Sequence, residues 1–438
     1  MASNDWQEIP LGCLGRLRKG VDFGCHQEGS GIPVVKVKDF GDRLFVPHCD
    51  LDELNDSQTA IPKSQLLQKD DIVIIRSNGN SERLGLSMIY SGSAQAATYS
   101  GCCIRFRPDT KRIDPLFAAY FLRSPTCRQR LSAFGCGTGI QNLSQRILSE
   151  MPVPLPPLGQ QKAIAHVLST LDNKIELNRR MNETLEAIVA AIFKSWFVDC
   201  DHVRAKAGLP KSIGDLFPDR LVESELGKIP KGWEVQPIRE VIDALFDGPH
   251  ATPPESAEGP VFLRIKNLTG TQLDLTNVRH ISEEHWSRWT ERVTPKFGDI
   301  VFSYEAVLGS FALIPPDLRC CLGRRLALIR PRKSDPFRYF LFHSFVSAPF
   351  QRMLIERSTH GSTVDRVPLL DFPNYLLVWP PARVRSVFDE IAESFWAIIH
   401  RNQKESRTLA AIRDTLLPKL LSGDIHVEKD ELLVRAST

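Results

Sequence analysis

The sequence predicts an α/β fold, with mixed α+β globular domains in tandem. Two long helices separate the two domains and form an intramolecular antiparallel coiled coil with a pseudo-twofold repeat. Three observations support this prediction: a heptad pattern in residues 154–196, a second copy of that pattern near the C-terminus, and similar strand-like segments in both halves of the chain.

The first long helix follows a Pro-Pro pair, and residues 160–196 contain neither Pro nor Gly. Positions spaced alternately four and three apart form a seam typical of paired helices: Ile164, Leu168, Leu171, Ile175, Asn178, Asn182, Leu185, Val189, Ile192 and Trp196. A polar residue at such a seam fixes register, so Asn178 and Asn182 are predicted register contacts. A single amphipathic core helix with two solvated asparagines is the alternative.

The N-terminal part of the chain combines short strands with later helix. Residues 32–40 and 71–77 are predicted strands, and residues 77–85 form a loop rich in Asn, Ser and Gly. Residues 117–134 are predicted to be helical, with an interruption near Pro125. A mixed α/β domain follows from this order.

The pattern restarts at Trp233, which indicates an internal duplication. Residues 137, 157, 175, 178 and 185 each have an identical residue 224 positions later. The second helix therefore places Asn402 and Ser406 at its polar centre, and Pro418 is expected to end it. Antiparallel pairing is favoured because parallel helices would crowd both domains at one end. The predicted boundaries are 1–157 and 233–381 for the domains, 158–200 and 382–425 for the helices, 201–232 for a linker and 426–438 for a tail.

Composition sets few limits on function. The net charge is only +3, and no stretch reaches the roughly 18 apolar residues of a membrane span. The ten cysteines include no C-x-x-C spacing, so reduced thiols rather than disulfides or a metal site are expected in a cytoplasmic protein.

Motifs for catalysis or a resident cofactor are not found in the sequence. The chain has no phosphate-binding Gly-x-x-x-x-Gly-Lys-Ser/Thr loop and no H-E-x-x-H. Gly135, Gly137 and Gly139 form a G-x-G-x-G, but it follows a predicted helix instead of a strand, and the repeat does not keep the glycines. The expectation is no active site, no cofactor and no metal.

Basic, amide and hydroxyl residues recur in loops of both halves. Arg and Lys bind guanine edges and phosphates, and Asn and Gln bind adenine, so these residues are candidates for contacts with double-stranded DNA. Each one taken alone is also compatible with a solvated surface position or a turn. The candidates are Lys36, Lys38, Arg76, Asn78, Asn80, Ser81, Arg83, Gln141, Asn142 and Arg146 in the first half, and Arg264, Lys266, Asn267, Ser303, Tyr304, Arg324, Arg325, Ser362, Thr363 and Arg366 in the second.

Three motifs resemble those of the specificity subunit of type I restriction-modification systems. They are PLPPLGQQKAIAHVLSTLDNKIELN at residues 154–178, SELGKIPKGW at residues 224–233, and TLLPKLLSGDI at residues 415–425. The second copy has VWPPARVRSVFDE in place of PLPPLGQQKAIAH, so the Gln-Gln-Lys start of the first helix is lost there.

This resemblance implies a non-catalytic DNA-binding subunit with two target-recognition domains, each reading half of a split site. It implies two adenine-methyltransferase subunits, which would carry S-adenosylmethionine, and motor-nuclease subunits as partners, with the helices holding the recognition domains apart. A self-contained DNA methyltransferase and a coiled-coil scaffold without a role in DNA binding are the alternatives.

Overall fold

The computed structural model describes residues 6–47, 51–55, 61–133, 141–204, 215–276, 278–334, 337–359 and 364–427. The chain divides into two compact units. Unit 1 consists of residues 1–178 and 405–438, and unit 2 consists of residues 179–404. Each unit therefore contains one mixed α/β domain together with a segment from each of the two long helices.

Unit 1 has a four-stranded sheet in the order β2-β9-β5-β7, a three-stranded sheet in the order β4-β3-β8, and the pairs β1-β11 and β6-β10. Only β3 and β8 run parallel among these described pairs. The strands are β1 Gln7–Pro10, β2 Gly15–Lys19, β3 Gly31–Val35, β4 Asp52–Asn55, β5 Ile72–Ile75, β6 Ser77–Asn78, β7 Ser87–Ile89, β8 Thr98–Tyr99, β9 Cys103–Pro108, β10 Gln141–Asn142 and β11 Pro152–Leu155.

The helices of the unit 1 domain are α1 Pro115–Arg123, α2 Pro125–Ala133 and α3 Gln145–Ser149. Asp114 caps α1, because its carboxylate accepts the Phe117 N–H, and Pro115 occupies the first turn, where its missing N–H has no cost. The predicted helical region with a break near Pro125 is confirmed. The predicted strand over residues 32–40 is too long, because β3 ends at Val35 and a 3₁₀ turn follows at Val37–Asp39.

Unit 2 repeats the sheet orders of unit 1: β15-β23-β20-β21, β19-β16-β22 and β14-β24, with β16 and β22 parallel. Its strands are β12 Leu221–Ser224, β13 Gly227–Pro230, β14 Glu234–Pro237, β15 Ile242–Asp247, β16 Ser256–Leu263, β17 Leu268–Thr269, β18 Gln272–Leu273, β19 Arg279–His280, β20 Ile300–Ser303, β21 Phe311–Leu313, β22 Cys320–Leu322, β23 Leu326–Pro331 and β24 Leu376–Trp379. The pairs β12-β13 and β17-β18 are additional hairpins of this unit.

One buried ion pair is repeated at the same place in both domains. In unit 1 the carboxylate of Asp71, just before β5, accepts two hydrogen bonds of 2.6 Å from Arg107 on β9. In unit 2, Asp299, just before β20, accepts bonds of 2.9 and 2.6 Å from Arg330 on β23. Such bidentate pairs are geometrically specific, so the equivalence of the two domains extends to side chains.

The predicted long helices are present and pair with each other. Helix α4 spans Leu158–Phe193 and continues as a π turn over Lys194–Val198. After the short α5 Asp201–Arg204, α6 Trp286–Trp289, α7 Arg338–Val346 and α8 Ala348–Glu356, helix α9 spans Ala382–Ser422. All ten predicted seam residues of α4 are buried or half-buried. The predicted mixed α/β fold with two long paired helices is confirmed.

Pro418 does not end the second helix as expected, since α9 includes it and continues to Ser422. A proline inside a helix removes one backbone hydrogen bond and is costly. The neighbouring Leu417, Leu420 and Leu421 are 6%, 1% and 8% exposed in the core of unit 1. Burial of these three side chains offsets the cost of the proline.

The helix segments are antiparallel within each unit. In unit 1, Asp172 of α4 contacts Arg413 of α9, and the Asn178 side-chain amide donates to Glu405 Oε2 at 2.8 Å and to Ser406 Oγ at 3.3 Å. The partner number falls as the α4 number rises, which is the antiparallel pattern.

Unit 2 has the same direction of pairing. Asn402 donates to the Asn182 side-chain oxygen at 2.9 Å, and the ring centroid of Phe193 lies 5.5 Å from that of Phe388. Asn178, Asn182 and Asn402 are 0%, 5% and 4% exposed, so these amides are buried in the seam. Their role in setting register stays a prediction.

The two units bury different chemistry where the domain meets the helix pair. In unit 1 the Tyr120 hydroxyl donates to Asp172 at 2.6 Å, and Arg413 binds the other oxygen of the same carboxylate at 2.5 Å. The positions 224 residues from Asp172 and Arg413 are Trp396 and Val189.

In unit 2, Trp396 donates instead to His343 at 3.3 Å. Burial lowers the pKa of His343 to about 3, so this histidine stays neutral. A charged network in unit 1 thus corresponds to an uncharged aromatic cluster in unit 2.

We expect Arg413→Met to destabilise the chain by roughly 3–5 kcal/mol, because it leaves the Asp172 carboxylate buried without its cation. The double variant Asp172→Asn/Arg413→Met removes both charges and should recover most of that loss. Urea unfolding of the full chain measures both. A single variant that costs less than about 1 kcal/mol would show that the charge is already well solvated.

An acidic side chain from α9 replaces the missing N-terminal cap of α7. Helix α7 has no side-chain cap from Phe337, its own N-cap residue, and Asp389 Oδ1 accepts the Phe340 N–H at 2.7 Å. Burial raises the pKa of Asp389 to about 7, although the backbone N–H groups of Phe340 and Tyr339 oppose the shift. The folded chain therefore favours the protonated acid.

This raised pKa predicts a pH-dependent stability. The unfolded side chain ionises near pH 3.8 but the folded one near 7, so its favourable contribution is complete below about pH 4 and is lost as pH rises through 7. Asp389→Asn cannot ionise, and its stability relative to wild type should increase steadily between pH 4 and 7. The exposed neighbour variant Glu390→Gln is the control. Parallel stability profiles for Asp389→Asn and wild type would contradict the prediction.

Candidate nucleic-acid interface

Two distant groups of predicted DNA-contacting residues meet in unit 1. Strands β6 and β10 pair with Asn78 opposite Gln141 and Ser77 opposite Asn142. The side-chain oxygen of Asn78 accepts the Asn80 N–H at 2.7 Å, and that of Asn80 accepts the Glu82 N–H at 2.9 Å. These two amides shape the loop, while the side chain of Asn142 is exposed beside it.

Several other candidates in unit 1 already bind protein groups. Arg83 donates to the carbonyls of Val37 and Phe40 at 2.8 and 2.9 Å, which ties the loop to the turn after β3. The exposed Arg146 pairs with Glu150 at 2.8 Å on α3. The interactions of Arg83 are those of a structural residue, whereas Arg146 remains accessible.

Lys36 and Lys38 lie in the turn after β3 and not on a strand, as the sequence had suggested. Lys36 binds Glu28 and Asp52 at 2.7 and 2.8 Å, and Lys38 binds Asp52 at 2.5 Å. Burial alone would lower the pKa of Lys36, but the bonds to these carboxylates outweigh it and the pKa is raised. Only Lys38 of this pair is well exposed, with 57% of its side chain accessible.

Arg76 occupies the start of the same loop. Its backbone bonds to Cys102 and Leu143 link β5, β10 and the turn before β9. Its Nε atom is buried and has no hydrogen-bond partner among the residues that the structure describes. A buried donor without a partner is costly, so this guanidinium is suited to accept a ligand oxygen.

A basic groove beside this loop was not predicted from the sequence. It has a volume of about 700 Å³ and is lined by residues of β2, including Arg16, Arg18 and Lys19, and by Arg105 and Gln145. The alternation in GRLRK was the available signal, because a strand places Arg16 and Arg18 on one face. Both arginines are exposed on β2, an edge strand of the four-stranded sheet.

In unit 2, three candidates are buried and serve the fold. Asn267 is 2% exposed, accepts the Arg264 N–H at 3.0 Å and donates to the Asp274 carbonyl at 3.0 Å. Ser303 donates to the Val307 carbonyl. Tyr304 donates to Asp247 at 2.8 Å, and burial together with this carboxylate raises the pKa of its hydroxyl.

Four basic candidates in unit 2 differ in exposure. Lys266, Arg324 and Arg366 are exposed, whereas Arg264 is half-buried and burial lowers its pKa. These three exposed side chains are available to a ligand in the solvent.

Arg325 lies in a strained part of unit 2. Its φ is 68°, and Ala306 in the neighbouring loop has φ 71°, a conformation unfavourable for residues other than glycine. Arg325 Nε lies 3.3 Å from Glu305, an acidic residue that the sequence did not single out. Strain of this kind persists where surrounding contacts enforce it and often marks a functional loop.

Some predicted residues lie outside the described part of the chain. These are Ser362 and Thr363, the side chains of Ser81 and Gln141, and the glycines at 135, 137 and 139. Within the described ranges there is no group of three or more His, Cys, Asp or Glu residues arranged to hold a metal ion. The same ranges contain no helix that is both long and apolar enough for a membrane span.

Comparisons with known proteins relate the chain to one family. Residues 3–187 match the type I restriction modification DNA specificity domain. The type I restriction enzyme MjaIX specificity subunit of Methanocaldococcus jannaschii is 27% identical over 321 residues, which cover 71% of this chain and 69% of that protein. The putative MjaX specificity subunit of the same organism is 24% identical and covers 97% of this chain and 94% of its own length.

A solved structure shares the fold along nearly the whole chain. The crystal structure of the type I restriction-modification S subunit from M. genitalium has a TM-score of 0.51 at 15% identity, covering 96% of this chain and 97% of that one. Together with the family match, these findings confirm the resemblance to type I specificity subunits.

We expect Arg83→Ala to lower the free energy of unfolding by roughly 1–3 kcal/mol, because two carbonyls lose a charged donor. The exposed variant Arg146→Ala removes the same charge from unit 1 and should stay within about 0.5 kcal/mol of wild type. Urea unfolding compares the two. If Arg83→Ala unfolds like wild type, its contacts with Val37 and Phe40 do not stabilise the loop.

Proposed function

The chain is a relative of type I restriction-modification specificity subunits, and on that premise we propose that it is the DNA-reading, non-catalytic subunit of such a complex. The observation that carries the proposal is the DNA specificity domain in residues 3–187, followed by a second unit with the same sheet orders. Two equivalent domains in one chain suit a bipartite DNA site, in which each domain reads one half.

The proposed reading surfaces are the exposed polar loops of the two units. In unit 1 they are the β6-β10 loops with Asn142 and Arg146, and in unit 2 the loops with Arg324, Arg325 and Arg366. Asn and Arg side chains make bidentate contacts with adenine and guanine edges in the major groove, each worth about 1–3 kcal/mol of discrimination. Several such contacts distinguish a site from bulk DNA.

Catalysis is assigned to partners. Two adenine-methyltransferase subunits would carry S-adenosylmethionine and dock on the long helices, and motor-nuclease subunits would complete the complex on DNA in the cytoplasm. The exposed apolar side chains of α4, Leu177 at 53%, Met181 at 39% and Ile188 at 40%, support a docking role for this helix. S-adenosylmethionine binding by the purified chain alone would favour a self-contained methyltransferase instead.

Exchange of one predicted domain tests the bipartite reading. Replacing residues 1–157 with the corresponding residues of a relative should change one half of the recognised sequence only. Replacing residues 233–381 should change only the other half. Mapping of methylated adenines in cells that express the chain with its methyltransferase partner gives the result. Exchanges that alter both halves together would contradict two independent domains.

A further inference from the structure

The groove along β2 concentrates positive charge that the protein itself does not neutralise. Arg16 and Arg18 are exposed, and neither forms an ion pair with any residue that the structure describes. Lys19 pairs with Asp22 at the end of the strand, and Asp71 binds Arg107 on the neighbouring strand. Two arginines of the groove are therefore available to an anionic ligand.

Arg105 adds a buried donor to the same groove. It is 4% exposed and lies opposite Arg18 across the β2-β9 pair. Its Nε atom has no partner within the described ranges, its Nη1 reaches the Ser64 carbonyl only at 3.4 Å, and the Asp71 carboxylate is 4.0 Å away. A nearly buried guanidinium with weak internal contacts is costly unless a ligand completes its hydrogen bonds.

The equivalent place in unit 2 has no such charge. Arg16 and Arg18 face Arg107 and Arg105 across the β2-β9 pair, whereas in the β15-β23 pair Ala244 faces Arg330 and Phe246 faces Leu328. Arg330 is bound to Asp299, as Arg107 is to Asp71. The basic groove is thus a property of unit 1 alone, which a shared folding requirement of the two domains does not explain.

The groove is continuous with the predicted reading loop. Lys19 leads into Gly20 and Val21, whose backbones bond Cys103 and Tyr99, and Cys102 in turn accepts hydrogen bonds from Arg76 and Ser77. Ser77 pairs with Asn142, and Gln145 three residues later lines the groove. A nucleic-acid strand that reaches the loop would therefore pass the arginines of β2.

We propose that this groove binds backbone phosphates of DNA beside the half-site read by unit 1, so that the two half-sites are anchored asymmetrically. The inference rests on the proposed function. Arginine forks match phosphate oxygens in a bidentate way, and phosphate contacts position a protein without specifying sequence. Unit 2, with Ala244 and Phe246 at the equivalent positions, would bind its half-site with fewer phosphate contacts.

The test uses the full chain assembled with its methyltransferase partner and a duplex containing its mapped site. Each phosphate contact contributes about 0.9 to the slope of log affinity against log salt. Arg18→Gln should reduce the slope by about 0.9 and Arg16→Gln/Arg18→Gln by about 1.8. Arg43→Gln, which removes an exposed arginine of unit 1 outside the groove lining, should leave it unchanged.

Three further results decide between explanations. Methylation mapping should find the same recognised sequence for all variants, because phosphate contacts carry no base information. An unchanged salt slope, or a loss of affinity for the methyltransferase partner instead of DNA, would overturn the groove as a phosphate site and indicate an acidic protein surface in the latter case. A wild-type complex that binds no bipartite DNA site would overturn the proposed function itself, which a failure confined to the arginine variants would not.

Discussion

Pairing of α4 with α9 is the constraint on which both units depend. The core of unit 1 includes Ile164 and Leu168 from the start of α4 together with Leu420 from the end of α9. In unit 2 the core includes Phe193 and Phe388 from the opposite segments of the same helices. Neither domain has a complete hydrophobic core without both helices, so folding of each domain and pairing of the helices are coupled.

Buried polar contacts make this pairing specific. Amide contacts lie at the centre of the seam, and the Asp172–Arg413 pair lies at the unit 1 side. Such groups add little net stability compared with apolar residues, but a wrong register would leave them buried without partners. Because unit 2 has Trp396 where unit 1 has Asp172, each domain is matched to its own helix segments.

The sequence predicted the repeat, the heptad seam and the family, since all three depend on regular spacing. It did not predict that Asp172, outside the heptad positions, is buried, because its partner Arg413 lies 241 residues away. Arg83 and Tyr304 have side chains suited to DNA, but tertiary contacts use them within the protein. The basic groove was missed because exposure of Arg16 depends on the position of β2 at a sheet edge.

The central claim is that this chain gives sequence specificity to a methyltransferase that lacks it. The most direct measurement is adenine methylation across the genome in cells that express the partner alone, the chain alone, or both together. The account predicts methylation at a single bipartite sequence only when both are present. Methylation at that sequence by the chain alone, or by the partner alone, would contradict it.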